Sequence, residues 1–195
     1  MTTAFVLGNG KSRLAVNLKT LKKRGRVFGC NALYRTFTPD VLVSTDPGIS
    51  RVIQESGYSA TNVHYTRNPL LGLGSKKVPK ESHGWSSGPN ALNLACMEKH
   101  TRIYMLGFDL SGTDTGKFNN VFADSEFYKK SNDTVTYSGN WIKQMITLFK
   151  KYPNITFYHV TGTSTVIPTE FKLCSNVKTL PINDFLDVLN IEKDV

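Results

Sequence analysis

Short apolar runs of strand length recur along this chain, each closed by glycine or a small polar residue, and helix-period segments lie between them. Ala4 to Leu7 ends in Gly8-Asn9-Gly10, Arg26 to Cys30 ends at Asn31, and Val41 to Ser44 ends in Thr45-Asp46-Pro47-Gly48. Arg102 to Gly107 ends at Asp109, while Asn62 to Thr66 and Ile155 to Val160 supply two further runs. Leu14, Leu18 and Leu21 repeat at helical spacing, and a helix is expected around Ile49 to Glu55. Ser86-Ser87-Gly88-Pro89 opens an Ala- and Leu-rich helix to Lys99, and Ile142, Met145, Ile146 and Phe149 form one apolar stripe. Strands that alternate with helices predict an α/β fold with an open, mostly parallel sheet, because right-handed crossovers place helices on both faces. The last thirty-five residues are less regular, and two long polar segments, Arg67 to Trp85 and Ser111 to Ser138, read as loops.

Ligands of such sheets lie outside the carboxyl ends of the strands. The residues placed there are Gly8, Asn9, Gly10, Asn31, Asp46 and Asp109, with the Ser86 to Gly88 helix start beside them. The GNGKS turn, Gly8 to Ser12, would aim backbone amides at a phosphate, although a plain strand-to-helix turn uses the same residues. Ser86, Ser87 and Gly88 would hold an anion or carboxylate, or simply cap the helix. Asp46 and Asp109 would act as a base or, as a pair, as magnesium ligands; turn capping is their structural alternative. No metal-ligand spacing is present among His64, His83, His100 and His159. Of these, His83 lies near the Ser86 helix and stands as a second candidate base.

Lys and Arg number 24 against 15 Asp and Glu, a net charge of +9, which favours anionic partners and says nothing of the fold. Asp184, Asp187, Glu192 and Asp194 oppose only Lys193 near the end of the chain, so a basic body carries an acidic tail. Lysines cluster at 19, 22 and 23, at 76, 77 and 80, at 129 and 130, and at 150 and 151, without the interleaved aromatics that stack bases. A glycan, a glycolipid or a nucleic acid fits that charge. Cys30, Cys96 and Cys174 are scattered and odd in number, so neither a disulfide framework nor a zinc site is expected. The expected location is cytoplasmic, since no leader is read at the start and no run of about 18 apolar residues occurs.

Taken in series, VLGNGKS (6 to 12), VFGCNALY (27 to 34), STDPG (44 to 48), SSGPNALNLAC (86 to 96) and IYMLGFDL (103 to 110) resemble the bacterial sialyltransferases. The likeness runs from Val6 to Leu110 and more loosely to Val160; archaeal-type hydroxymethylpterin diphosphokinases show a related, more distant pattern. The resemblance implies a Rossmann-like domain over residues 1–160 with a packed extension, 161–195, and a CMP-linked sugar donor bound without a metal. It implies that Gly8, Asn9, Gly10 and Ser12 lie against the nucleotide, that Asn31 faces the donor, and that Ser87 and Gly88 receive the sugar carboxylate or cytidine. Asp109 belongs to the same nucleotide-binding set. The family's general-base histidine precedes the helix that here begins near Gly139, where this chain has Thr136, Tyr137 and Ser138. That leaves Asp46 as first candidate base, His83 as second, and a catalytically altered nucleotide- or nucleic-acid-binding protein as the alternative. Magnesium enters only if the chemistry is phosphoryl or diphosphoryl transfer.

Overall fold

The computed structural model describes residues 2–191. Glu192, Lys193 and Asp194 of the acidic tail lie outside them, whereas Asp184 and Asp187 sit on the last helix. Eight parallel strands form one sheet: β1 Thr3–Leu7, β2 Arg26–Cys30, β3 Val41–Ser44, β4 His64–Thr66, β5 Lys76–Lys77, β6 Arg102–Leu106, β7 Thr156–Thr161 and β8 Val177–Pro181. Their order across the sheet is β5-β4-β3-β2-β1-β6-β7-β8. The chain therefore walks outward from β1 to β5, returns to the other side of β1, and walks outward again, which puts the topological switch between β1 and β6. This is the open, parallel α/β sheet expected from the alternating pattern, in the Rossmann-like arrangement that the resemblance implied.

Seven helices follow in order: α1 Leu18–Leu21, α2 Pro47–Glu55, α3 Tyr58–Thr61, α4 Ser87–Met97, α5 Gly139–Lys151, α6 Thr169–Lys172 and α7 Ile182–Leu189. Strand side chains alternate between the faces. Ala4, Val6, Ile103 and Met105 pack with Ala91 and Leu92 of α4, Met145, Leu148 and Phe149 of α5, and Phe171 of α6. Phe5, Leu7, Tyr104 and Leu106 pack with Leu21 of α1, Ile49 and Ile53 of α2, and Phe185 and Leu186 of α7. Reversing the walk at the switch moves the crossover helices to the opposite face, as right-handed connections require.

Three local expectations change. The period Leu14, Leu18, Leu21 does not make one helix: a 3-10 turn, Lys11–Ala15, is followed by extended Val16 and by α1, which Asn17 caps by accepting the Lys19 amide at 3.2 Å. That break turns Leu14 outward, 51% exposed, and Arg13 inward. Lys76–Lys77 and Val177–Pro181 become edge strands, although the first is two exposed lysines and the second holds only Val177 and Leu180 against the core, so neither carried an apolar run.

Candidate functional site

A cleft of about 310 Å³ opens at the carboxyl ends of the strands. Gly8, Asn9, Gly10, Asn31, Asp46, Ser86, Ser87, Gly88 and Asp109 all line it, so the short polar residues from five chain segments converge. Ser12 and His83 do not. The Ser12 hydroxyl is buried without a partner, and a Cβ on Gly162 would lie 2.7 Å from the Ser12 Cβ, so Ser12 packs under the β7 loop. His83 sits in the β5–α4 connection, where its carbonyl accepts from Arg67 Nε at 2.7 Å. Its place outside the cleft leaves Asp46, which lines it, the better placed of the two candidate bases.

The wall made by the ends of β1 and β6 is filled with internal bonds. The Gly8 amide donates to the Leu106 carbonyl and the Gly10 amide to the Gly107 carbonyl, both at 2.8 Å. Lys11 N–H donates to Asn119 Oδ1 at 3.0 Å and Ser12 N–H to Asp109 Oδ2 at 3.1 Å. Four of the five amides of this turn, those of Gly8, Gly10, Lys11 and Ser12, are thus spent inside the protein rather than left open for a phosphate. Its glycines serve close approach: a Cβ on Gly10 would stand 2.5 Å from Asp109 Oδ2, and one on Gly8 2.5 Å from the Gly107 carbonyl oxygen.

Asp109, 3% exposed, ties this wall together. Besides Ser12, its Oδ2 accepts Asn119 Nδ2 at 3.1 Å, and its Oδ1 accepts the Thr165 hydroxyl at 3.0 Å. Two donors on Oδ2 and one on Oδ1 commit most of its acceptor capacity to fixing three loops, and no cluster of three or more metal-ligating side chains forms among the described residues. Asn9 also braces the wall, since its Nδ2 donates to the Cys30 carbonyl at 3.3 Å and its backbone carbonyl accepts Val121 N–H at 2.8 Å. Cys30 lines the cleft floor, but burial pushes its thiol up to about 12, so no thiolate forms there near neutral pH.

The opposite wall, from β2, β3 and α4, keeps groups free. Ser87 Oγ accepts the Thr45 amide at 2.9 Å and donates to Asn31 Oδ1 at 2.9 Å. Asn31, in the left-handed region at φ 52°, is therefore held by its oxygen while Nδ2 has no partner among the described residues. Asparagine tolerates that backbone better than most residues. Neither Ser86 nor Ser87 caps α4 by its side chain, so the Ser87 and Gly88 amides stay open at the positive end of the helix. Asp46, exposed at the start of α2, makes no capping bond and no ion pair among the described residues.

Of the third side of the cleft, the sequence had pointed only to Thr136, at the place of the family's histidine. Phe108, Leu110, Phe118, Asn119, Asn120, Val135, Thr136 and Trp141 close it, mostly from the Ser111 to Ser138 segment. Lys117 and Thr134 form a bridge within that segment, the Tyr128 hydroxyl accepts the Ala32 amide at 3.2 Å, and Ser138 Oγ donates to the Leu110 carbonyl at 3.0 Å. A segment without helix or strand carries no periodic signal, and Trp141, one turn before Met145, reads as part of the core stripe against which it also packs.

No protein-family profile matches the sequence, and no curated protein does. Among solved structures, the fold is similar to that of the sialyltransferase CstII from Campylobacter jejuni in complex with a substrate analogue, cytidine-5'-monophosphate. Identity is 16%, the TM-score is 0.52, and the match covers 82% of this chain and 79% of that one. The sialyltransferase CST-II in complex with a trisaccharide acceptor and CMP is similar at 14% identity and a TM-score of 0.51, over 81% of this chain and 80% of that one. At such identities the likeness is one of fold. Among the described residues, no helix is long and apolar enough to cross a membrane.

Proposed function

We propose that this protein is a glycosyltransferase that takes a sugar from a nucleotide donor, CMP-linked by preference, and passes it to an acceptor hydroxyl. The observation that carries the reading is the open wall of the cleft. Two uncapped amides at Ser87 and Gly88, a free Asn31 Nδ2 and a free Asp46 carboxylate stand around one space sized for a small ligand. Amides at a helix start suit the phosphate or the sugar carboxylate of a CMP-linked donor. Phe108, Phe118 and Trp141 give the cleft an aromatic lining that suits a base or a sugar. The similar solved structures bind CMP and a trisaccharide acceptor, which supports the same ligand classes here.

The chemistry is a displacement at the anomeric carbon. The acceptor oxygen forms the new bond as the bond from that carbon to the donor phosphate breaks, and CMP leaves with the electron pair. The acceptor proton goes to Asp46, whose oxygens no donor among the described residues occupies. The α4 amides stabilise charge as it grows on the departing phosphate. The basic surface suits an anionic acceptor such as a glycan or glycolipid. Calorimetric titration with CMP, UMP, AMP and GMP tests the reading. Tightest binding of CMP is expected, and failure to bind any cytidine nucleotide overturns it.

A further inference from the structure

Arg13 is the one buried Lys or Arg among the described residues, 4% exposed. Its surroundings do not balance its charge. Nη2 donates to Asn9 Oδ1 at a long 3.4 Å, the guanidinium carbon lies 5.6 Å from the centre of the Phe122 ring, and Nε is buried without a partner. No carboxylate pairs with it among the described residues. The nearby turn-holding carboxylate, Asp109, spends its oxygens on Ser12, Asn119 and Thr165. A guanidinium stays protonated in proteins, so the fold keeps a full positive charge in its interior, and an unpaired buried charge is costly.

The location gives that cost a purpose. A Cβ on Gly107 would lie 3.1 Å from Arg13 Cδ, and the residue that Arg13 bonds is Asn9. Gly107 and Asn9 both line the cleft, so the guanidinium sits one layer behind its floor. A charge reaches across such a layer far more strongly than through water. We infer that Arg13 is the standing counter-charge for an anion in the cleft, and that by fixing Asn9 and supplying this field it makes the cleft prefer phosphate-bearing ligands over neutral nucleosides. It acts through Asn9 and is a positioning residue. The identity of the anion as a CMP-linked donor rests on the proposed function; the preference for an anion does not.

The experiment compares the wild type with Arg13→Met and Arg13→Lys in calorimetric titrations with CMP, cytidine and inorganic pyrophosphate, and in thermal melts. In Arg13→Met the CMP-to-cytidine affinity ratio falls by about tenfold or more, the scale of a charge acting across one layer of protein, and cytidine affinity falls less than CMP affinity. The same variant melts at or above the wild-type temperature, because an unpaired buried charge has been replaced by an apolar chain. Arg13→Lys keeps most of the ratio. An unchanged ratio in Arg13→Met, an equal loss of CMP and cytidine, or an Arg13→Met protein that melts lower or fails to fold overturns the inference. Arg13-dependent uptake of pyrophosphate with no uptake of CMP overturns the CMP reading alone. Uptake of CMP with a ratio indifferent to residue 13 overturns this inference alone, and a wild type that takes up no anion overturns both.

Discussion

The two walls of the cleft use the same kinds of residue, short polar side chains and glycines at strand ends, to opposite ends. At β1 and β6 nearly every donor and acceptor is consumed inside the protein, through Asp109, Asn9 and the amides of Gly8, Gly10, Lys11 and Ser12. At β2, β3 and α4 one serine is consumed, and it is spent orienting Asn31 while the α4 amides and Asp46 stay open. The first wall is a brace, and under the proposed function the second is the binding surface. A brace is expected to fail through stability, a binding surface through ligand and turnover.

The largest effect belongs to the brace. Asp109→Ala strands three half-buried donors, Ser12 N–H, Asn119 Nδ2 and the Thr165 hydroxyl. A donor left unmade in the interior costs about 1–3 kcal/mol, and three half-buried ones at the low end of that range give an expected loss of about 2–4 kcal/mol in urea unfolding. A loss below about 1 kcal/mol would show that the wall is not braced there.

That division was only half legible beforehand. The strand ends, the parallel sheet and the convergence of Asn31, Asp46, Ser87 and Asp109 follow from period and punctuation, which are local properties. Which of those groups is free is not local. Asp109 and Asp46 look alike in sequence, both following an apolar run, and only the distant Asn119 and Thr165 distinguish them. Arg13 shows the same limit: an arginine between Ser12 and Leu14 reads as solvated, and it turns inward because the chain breaks helical period at Val16.

Behind each wall stands a buried neutral histidine, and protons should act on both. His159 Nε2 bonds the Phe108 carbonyl at 2.8 Å, and burial lowers its pKa. His64 Nε2 lies 2.6 Å from Ser44 Oγ at the end of β3, while Nδ1 meets the Ser59 and Ser75 hydroxyls. Burial lowers the His64 pKa from 6.5 to about 4. The unfolded chain binds the proton first, so stability is complete above about pH 6.5, falls as pH drops toward 4, and levels below it; the His64 share is about 3 kcal/mol. His64→Gln should flatten that window in unfolding measured from pH 7 to 4. A wild-type curve with no slope there would mean that the open wall does not rest on a neutral imidazole.

Asp46→Asn has the smallest expected effect on stability and the sharpest on function. The side chain is exposed, caps nothing and pairs with no cation among the described residues, so unfolding should change by no more than about 0.5 kcal/mol. The amide cannot take a proton from an acceptor hydroxyl, and loss of general-base assistance lowers turnover by about 10²–10⁴-fold. CMP affinity should hold, because the α4 amides and Asn31 remain. Transfer from a CMP-linked sugar, followed with purified variant and wild type, separates the two walls: unchanged turnover in Asp46→Asn would put the base elsewhere in the cleft, and a large loss of stability would make Asp46 part of a brace after all.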